Sequence, residues 1–131
     1  MKAILITTND EVSIVDLQTG IQPLYKSINQ TLKADLFESV HPKFLPQGIA
    51  MLVDESGRCK GLPINQYGSL LYGVHIHGEP IVGDILLMKE GFTQEGYDLV
   101  DFPEDELNEQ FNRAKAVTAN LKRFDQGMGG I

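Results

Sequence analysis

LPINQYGSLLYGVHIHGEPIVGDILLM, residues Leu62 to Met88, joins a helix start, a His-x-His pair and an apolar strand in one run. Pro63 breaks whatever precedes it, and Asn65 is placed to cap a short helix through Tyr72, with Gly68 as its weak point. Ile81 to Met88 carries the strongest strand signal of the chain and is expected at the centre of a sheet. Gly83 within it marks a bulge or a close approach of backbone.

Upstream, Lys2 to Thr7 and Val12 to Leu17 are short apolar runs separated by the Asn9-Asp10 turn signal, which predicts an N-terminal hairpin. Past Thr19-Gly20, Pro23 opens a helix in which Leu24, Ile28 and Leu32 recur on one face, ending near Asp35. Leu36 to Val40 reads as a strand stopped by His41-Pro42. Gly48 to Val53 reads as another, and the Asp54-Glu55-Ser56-Gly57 turn predicts a return strand at Arg58 to Leu62, forming a second hairpin.

Downstream, Tyr97 to Val100 predicts one more short strand. Pro103 then opens a helix of about 22 residues, with Glu104, Asp105 and Glu106 in its first turn and Lys115, Lys122 and Arg123 toward its end, matching the macrodipole. Its apolar face is Leu107, Phe111, Ala114, Val117, Leu121 and Phe124. The expected class is α+β: a largely antiparallel sheet built from hairpins, covered by the mid-chain helix and the long C-terminal helix. Residues 1–125 form one domain, and 126–131 are expected as a flexible glycine-rich tail.

The 131 residues carry 18 acidic against 11 basic side chains, a net charge of −7. That balance argues against direct nucleic-acid binding, which needs Lys and Arg gathered on a surface. No apolar run approaches the roughly 20 residues that span a bilayer, and the N-terminus lacks a signal-peptide pattern, so a cytoplasmic protein without membrane contact is expected. Cys59, the sole cysteine, excludes an internal disulfide and is expected as a half-buried core residue; it lacks an evident base for nucleophilic work.

Three groups of residues have chemistry to offer. His75 and His77 are two apart and would share one face of a strand, so they could hold a metal if a third ligand such as Glu79, Asp84 or His41 joined them. The bland reading is a solvated pair. Asn65, Tyr67 and Tyr72, with Arg58 and Lys60 on the preceding strand, could form a recess where a nucleotide-like ligand stacks and hydrogen-bonds, but the favoured reading is that the tyrosines rim the core. From Glu90 to Glu109 there are eight acidic residues and no basic one. Glu95, Asp98, Asp101, Glu104, Asp105 and Glu109 in that run could form a surface that steers toward a basic partner, or simply a solvated edge and helix N-terminus.

The segments Met51-Leu-Val-Asp-Glu-Ser-Gly-Arg-Cys-Lys-Gly-Leu-Pro-Ile-Asn65 and Pro80-Ile-Val-Gly-Asp-Ile-Leu-Leu87 resemble a family of small uncharacterised domains found mainly in bacteriophages and mobile elements. In that family a Gly-Leu-Pro-x-Asn segment is followed by a variable piece and an Ile-x-Gly-Asp strand. The resemblance spans Met1 to Phe111. Ile64 stands where a second proline is frequent, and His75-Ile-His77 is not a family hallmark. The resemblance implies an accessory protein with no assigned catalytic residues, of a kind that often antagonises host defence.

The resulting expectation is a non-enzymatic binder without a cofactor, a phage-encoded modulator of a host protein in the bacterial cytoplasm, acting through the acidic surface. The alternatives are a sponge for a small nucleotide signal, with homo-oligomerisation left open, and a metal-dependent enzyme built on His75 and His77.

Overall fold

The computed structural model describes residues 1–73 and 78–129, the side chains of 124–129 excepted. Among the described residues nine elements follow in order: β1 (Lys2–Ile6), β2 (Val12–Asp16), α1 (Ile21–Leu32), β3 (Phe37–Val40), β4 (Ile49–Asp54), α2 (Gln66–Tyr72), β5 (Ile85–Thr93), β6 (Gly96–Val100) and α3 (Glu104–Gly129). All six strands join one antiparallel sheet in the order β2-β1-β5-β4-β3, with β6 paired to β5. The fold is α+β.

Alternation along β4 and β5 sends side chains to two cores. Ile49, Met51, Val53, Ile85 and Leu87 point to the face covered by α2 and α3, through Tyr67, Leu71, Leu107 and Ala114. Ala50, Leu52, Leu86 and Met88 point to the other face, where Leu24, Ile28 and Leu32 of α1 close over them. With both faces covered, all six residues of β4 are buried, which is why its sequence reads as an unbroken apolar run. The α1 seam of three side chains contributes about 2 kcal/mol per residue by burial.

The central position of β5 follows expectation: Ile85 to Leu87 pair with β1, Leu86 to Lys89 with β4, and Lys89 to Thr93 with β6. The strand starts at Ile85, not Ile81. Residues Ile81 to Asp84 instead run beside the Pro63–Asn65 segment, where Ile64 bridges Val82 and the Gly83 amide donates to the Pro63 carbonyl at 2.8 Å. Gly83 has φ +81°, and a Cβ there would sit 2.9 Å from Leu62 Cδ1. The neighbour is the end of the Leu62 side chain and not backbone, so the positive φ, which L side chains rarely adopt, is what chiefly requires glycine here.

Two expectations are corrected. Arg58 to Leu62 is not a strand: both edges of β4 are already taken, by β3 and β5, so a return strand has no edge to join. The chain coils instead, with Lys60, Gly61 and Leu62 amides donating to the carbonyls of Ser56, Arg58 and Gly57. The real second hairpin is β3–β4, joined through residues 41–48. Cys59 is consequently exposed, not half-buried in a strand. The long helix runs from Glu104 through Gly129 and has Glu104, Asp105 and Glu106 in its first turn. No helix among the described residues is long and apolar enough to cross a membrane.

Candidate functional site

Asn65 lies at the meeting point of three segments and is fully buried. Its Nδ2 donates to the carbonyls of Ile6 and Gly83, each at 3.0 Å. Its Oδ1 accepts the Gly68 amide at 2.8 Å, capping α2. Ser69, one turn on, accepts the Ile81 amide at 2.9 Å through its hydroxyl. These side chains are fully occupied in tying the 63–69 segment to β1 and to the lead-in of β5, so Asn65 faces no recess.

Tyr67 is 2 % exposed and packs among the sheet core. Its hydroxyl is buried with no hydrogen-bond partner. Burial pushes its pKa up, against the opposing positive charge of Arg113. A folded-state pKa above the ordinary tyrosine value means that the stability tied to the neutral phenol is present below about pH 10 and is lost as pH rises through the folded pKa. Tyr67→Phe is therefore expected to match wild type at neutral pH, or to exceed it by about 1 kcal/mol. The variant's advantage should widen near pH 11. Urea denaturation at the two pH values checks this, and a loss on removing the hydroxyl would mean that the group has a partner.

Arg58 and Tyr72 do meet, on the wall of a cleft of about 240 Å³ together with Glu38, Glu55 and Glu79. Arg58 lies 3.3 Å from the Glu79 carboxylate and donates to the Pro80 carbonyl at 3.0 Å. Lys60 does not line the cleft but pairs with Asp54 of its wall at 2.7 Å; this hydrogen bond raises the lysine's pKa. The five residues expected to form one recess are thus split between interior, cleft and surface. His75 and His77 lie outside the described residues. Among the described residues no group of three His, Cys, Asp or Glu is arranged to hold a metal ion.

The acidic run divides in two. Glu90 is 9 % exposed and accepts from His41 Nε2 at 2.8 Å, while Glu106 pairs with Lys89 at 2.8 Å. Glu95, Asp98, Asp101, Glu104, Asp105 and Glu109 are all exposed, and among the described residues none of the six is held in an ion pair. Asp98 also accepts the Leu99 amide at 2.7 Å. That contact occupies a backbone donor of β6, blunting the strand against pairing with another chain.

Two exposed aromatic rings stand on the β5–β6 hairpin that carries Glu95 and Asp98. Phe92 of β5 and Tyr97 of β6 are cross-strand partners, packed edge to face with centroids 5.0 Å apart. Phe92 is 86 % exposed and Tyr97 52 %, so a large apolar surface is presented where solvent would ordinarily exclude it. The Tyr97 phenol is pushed up in pKa by desolvation first, then by the charge of Glu90 and a hydrogen bond to it, with Lys89 opposing. This pair was not singled out from sequence. The signal was available: a Gln94-Glu95 turn between the two strands places Phe92 opposite Tyr97, and cross-strand partners share a face.

These features define a small α+β domain in which Asn65 and Ser69 are consumed by structure and the carboxylates and the Phe92–Tyr97 pair lie exposed. The chain belongs to the family described as Domain of unknown function (DUF3846), whose model matches residues 1–115. No curated protein and no solved structure matches the chain.

Proposed function

We propose that this protein is a non-enzymatic binding domain, encoded by a phage or mobile element, that modulates or antagonises a host protein in the bacterial cytoplasm by docking on its basic surface. The observations that carry this reading are six exposed carboxylates, none held in an ion pair among the described residues, on the β5–β6 hairpin and the segment running into α3, together with the exposed Phe92–Tyr97 pair of that hairpin. Carboxylates steer a basic partner and set its orientation, while exposed aromatic rings supply the desolvated contact area on which affinity depends. The phage origin rests on the sequence resemblance described above.

A nucleotide sponge draws less support. The cleft holding Arg58 and Tyr72 also presents Glu38, Glu55 and Glu79, and those charges oppose a phosphate. A metal-dependent enzyme gains no support from the described residues.

The test is capture of partners from bacterial lysate on the immobilised domain at low salt, repeated with the triple variant Asp98→Lys, Glu104→Lys, Glu109→Lys. None of the three side chains is buried, so the fold should tolerate reversal. Affinity for a captured partner should fall by about a hundredfold and lose its salt dependence. Unchanged affinity would remove the acidic surface from the account.

A further inference from the structure

Between the loop that follows β3 and the β5–β6 hairpin lies a cavity of about 380 Å³, lined by His41, Pro42, Leu45, Pro46, Glu90 and Tyr97 among others. Its walls are fixed. The Leu45 and Ile49 amides donate to the Pro42 and Pro46 carbonyls, and the Glu90 amide donates to Gly48 at 2.8 Å.

We propose that this cavity is an anchor pocket for an arginine side chain of the partner protein, with Glu90 receiving the guanidinium and Tyr97 and Phe92 receiving its planar face and stem. The inference rests on the protein-binding reading above and gives that surface a specific occupant.

Charge complementarity selects a cation. Glu90 is a carboxylate buried to nine-tenths in a recess whose other walls are largely apolar. An ionised carboxylate has about four acceptor positions; His41 uses one of them. The facing histidine side chain is 62 % exposed, so solvent weakens its pairing with Glu90 and a permanently charged partner can compete. The nearby Lys89 is engaged with Glu106 at 2.8 Å. Glu95 and Asp98 on the same hairpin are exposed and extend the negative field outward.

The aromatic pair selects arginine over lysine. A guanidinium is planar, stacks on ring faces and donates to a carboxylate through a rigid fork, whereas an ammonium is compact and strongly hydrated. Tyr97 lines the pocket, and Phe92, packed edge to face on it at 5.0 Å and 68° and on the same face of the hairpin as Glu90, offers a second ring beside it. The occupied Leu99 amide favours side-chain insertion here over addition of a partner strand.

The experiment is titration of the intact protein with a nona-arginine and a nona-lysine peptide, followed by calorimetry and by the ring resonances of Phe92 and Tyr97. Nona-arginine should bind the more tightly and shift both rings. Phe92→Ala, which removes an exposed side chain and leaves the fold intact, should weaken it about tenfold. Glu90→Gln, checked for folding by its amide spectrum, should weaken it about a hundredfold. Equal affinity for the two peptides would overturn the assignment to arginine. If Phe92→Ala and Glu90→Gln bind as wild type while the Asp98, Glu104 and Glu109 reversals abolish binding, the pocket is wrong and the acidic surface stands. If neither peptide binds, both fail. A dimer of the free protein that Phe92→Ala disperses would replace the proposal with self-association.

Discussion

Asn65→Ala is expected to destabilise the protein by about 4 kcal/mol, close to or beyond the limit at which a domain of this size stays folded. Three hydrogen bonds disappear at once: two from Nδ2 to Ile6 and Gly83, and one from the Gly68 amide to Oδ1. Each bond contributes about 1 kcal/mol net, but the larger cost lies in what remains. Two carbonyls and an amide stay buried without partners, and alanine leaves no donor to replace the amide group. Asn65→Asp should be at least as damaging, because it sets a carboxylate oxygen against two carbonyl oxygens in a site with no exposure. Urea denaturation monitored by circular dichroism measures both. A loss below about 1 kcal/mol would mean that the three segments are held together by other contacts.

Leu86→Ala should cost a comparable amount, about 3 to 4 kcal/mol, by another route. Leu86 is fully buried on the central strand, pairs with Leu5 on one side and Leu52 on the other, and lies in the core closed by Ile28 and Leu24. The removed methyl groups leave a void that the strand cannot collapse into, since hydrogen bonds to β1 and β4 fix its backbone. The cost depends on how far α1 can settle. Because α1 buries only Leu24, Ile28 and Leu32, hydrogen exchange of its amides in the variant should accelerate more than that of β4. Uniform acceleration across both elements would show that α1 is not separately mobile.

Local chemistry made much of this architecture legible in sequence. The Asn9-Asp10 turn between two β-branched runs, the four-residue recurrence of Leu24, Ile28 and Leu32, the capping by Asn65 and the acidic start of α3 each act within a few residues, and each element forms where expected. The Arg58–Leu62 strand failed for a non-local reason. Its sequence could pair, but β4 has two edges, and β3 and β5 occupy both. Strand order depends on long-range competition that no window of ten residues contains.

The recess meets a similar gap. Asn65 and Tyr67 carry the groups a ligand site would use, and sequence does not say whether those groups face inward. Here Asn65 meets three backbone segments and Tyr67 meets the sheet. Conversely, Phe92 lies beyond the Ile81–Met88 run that reads as a strand. Only the absence of β4 beyond its pairing with Lys89 leaves the outer half of β5 with one neighbour and exposes that ring.

Strand order also sets a timetable. β1 is the first strand made, yet Ile4 sits opposite Leu87, so one edge of β1 has no partner until most of the chain has been synthesised. At roughly 5 to 20 residues per second, the interval lasts about 4 to 16 s. During it, the completed β1–β2 hairpin offers an apolar edge to any other nascent chain nearby. Emergence of β5 ends that exposure for β1 and β4 together, since the same strand fills the gap between them.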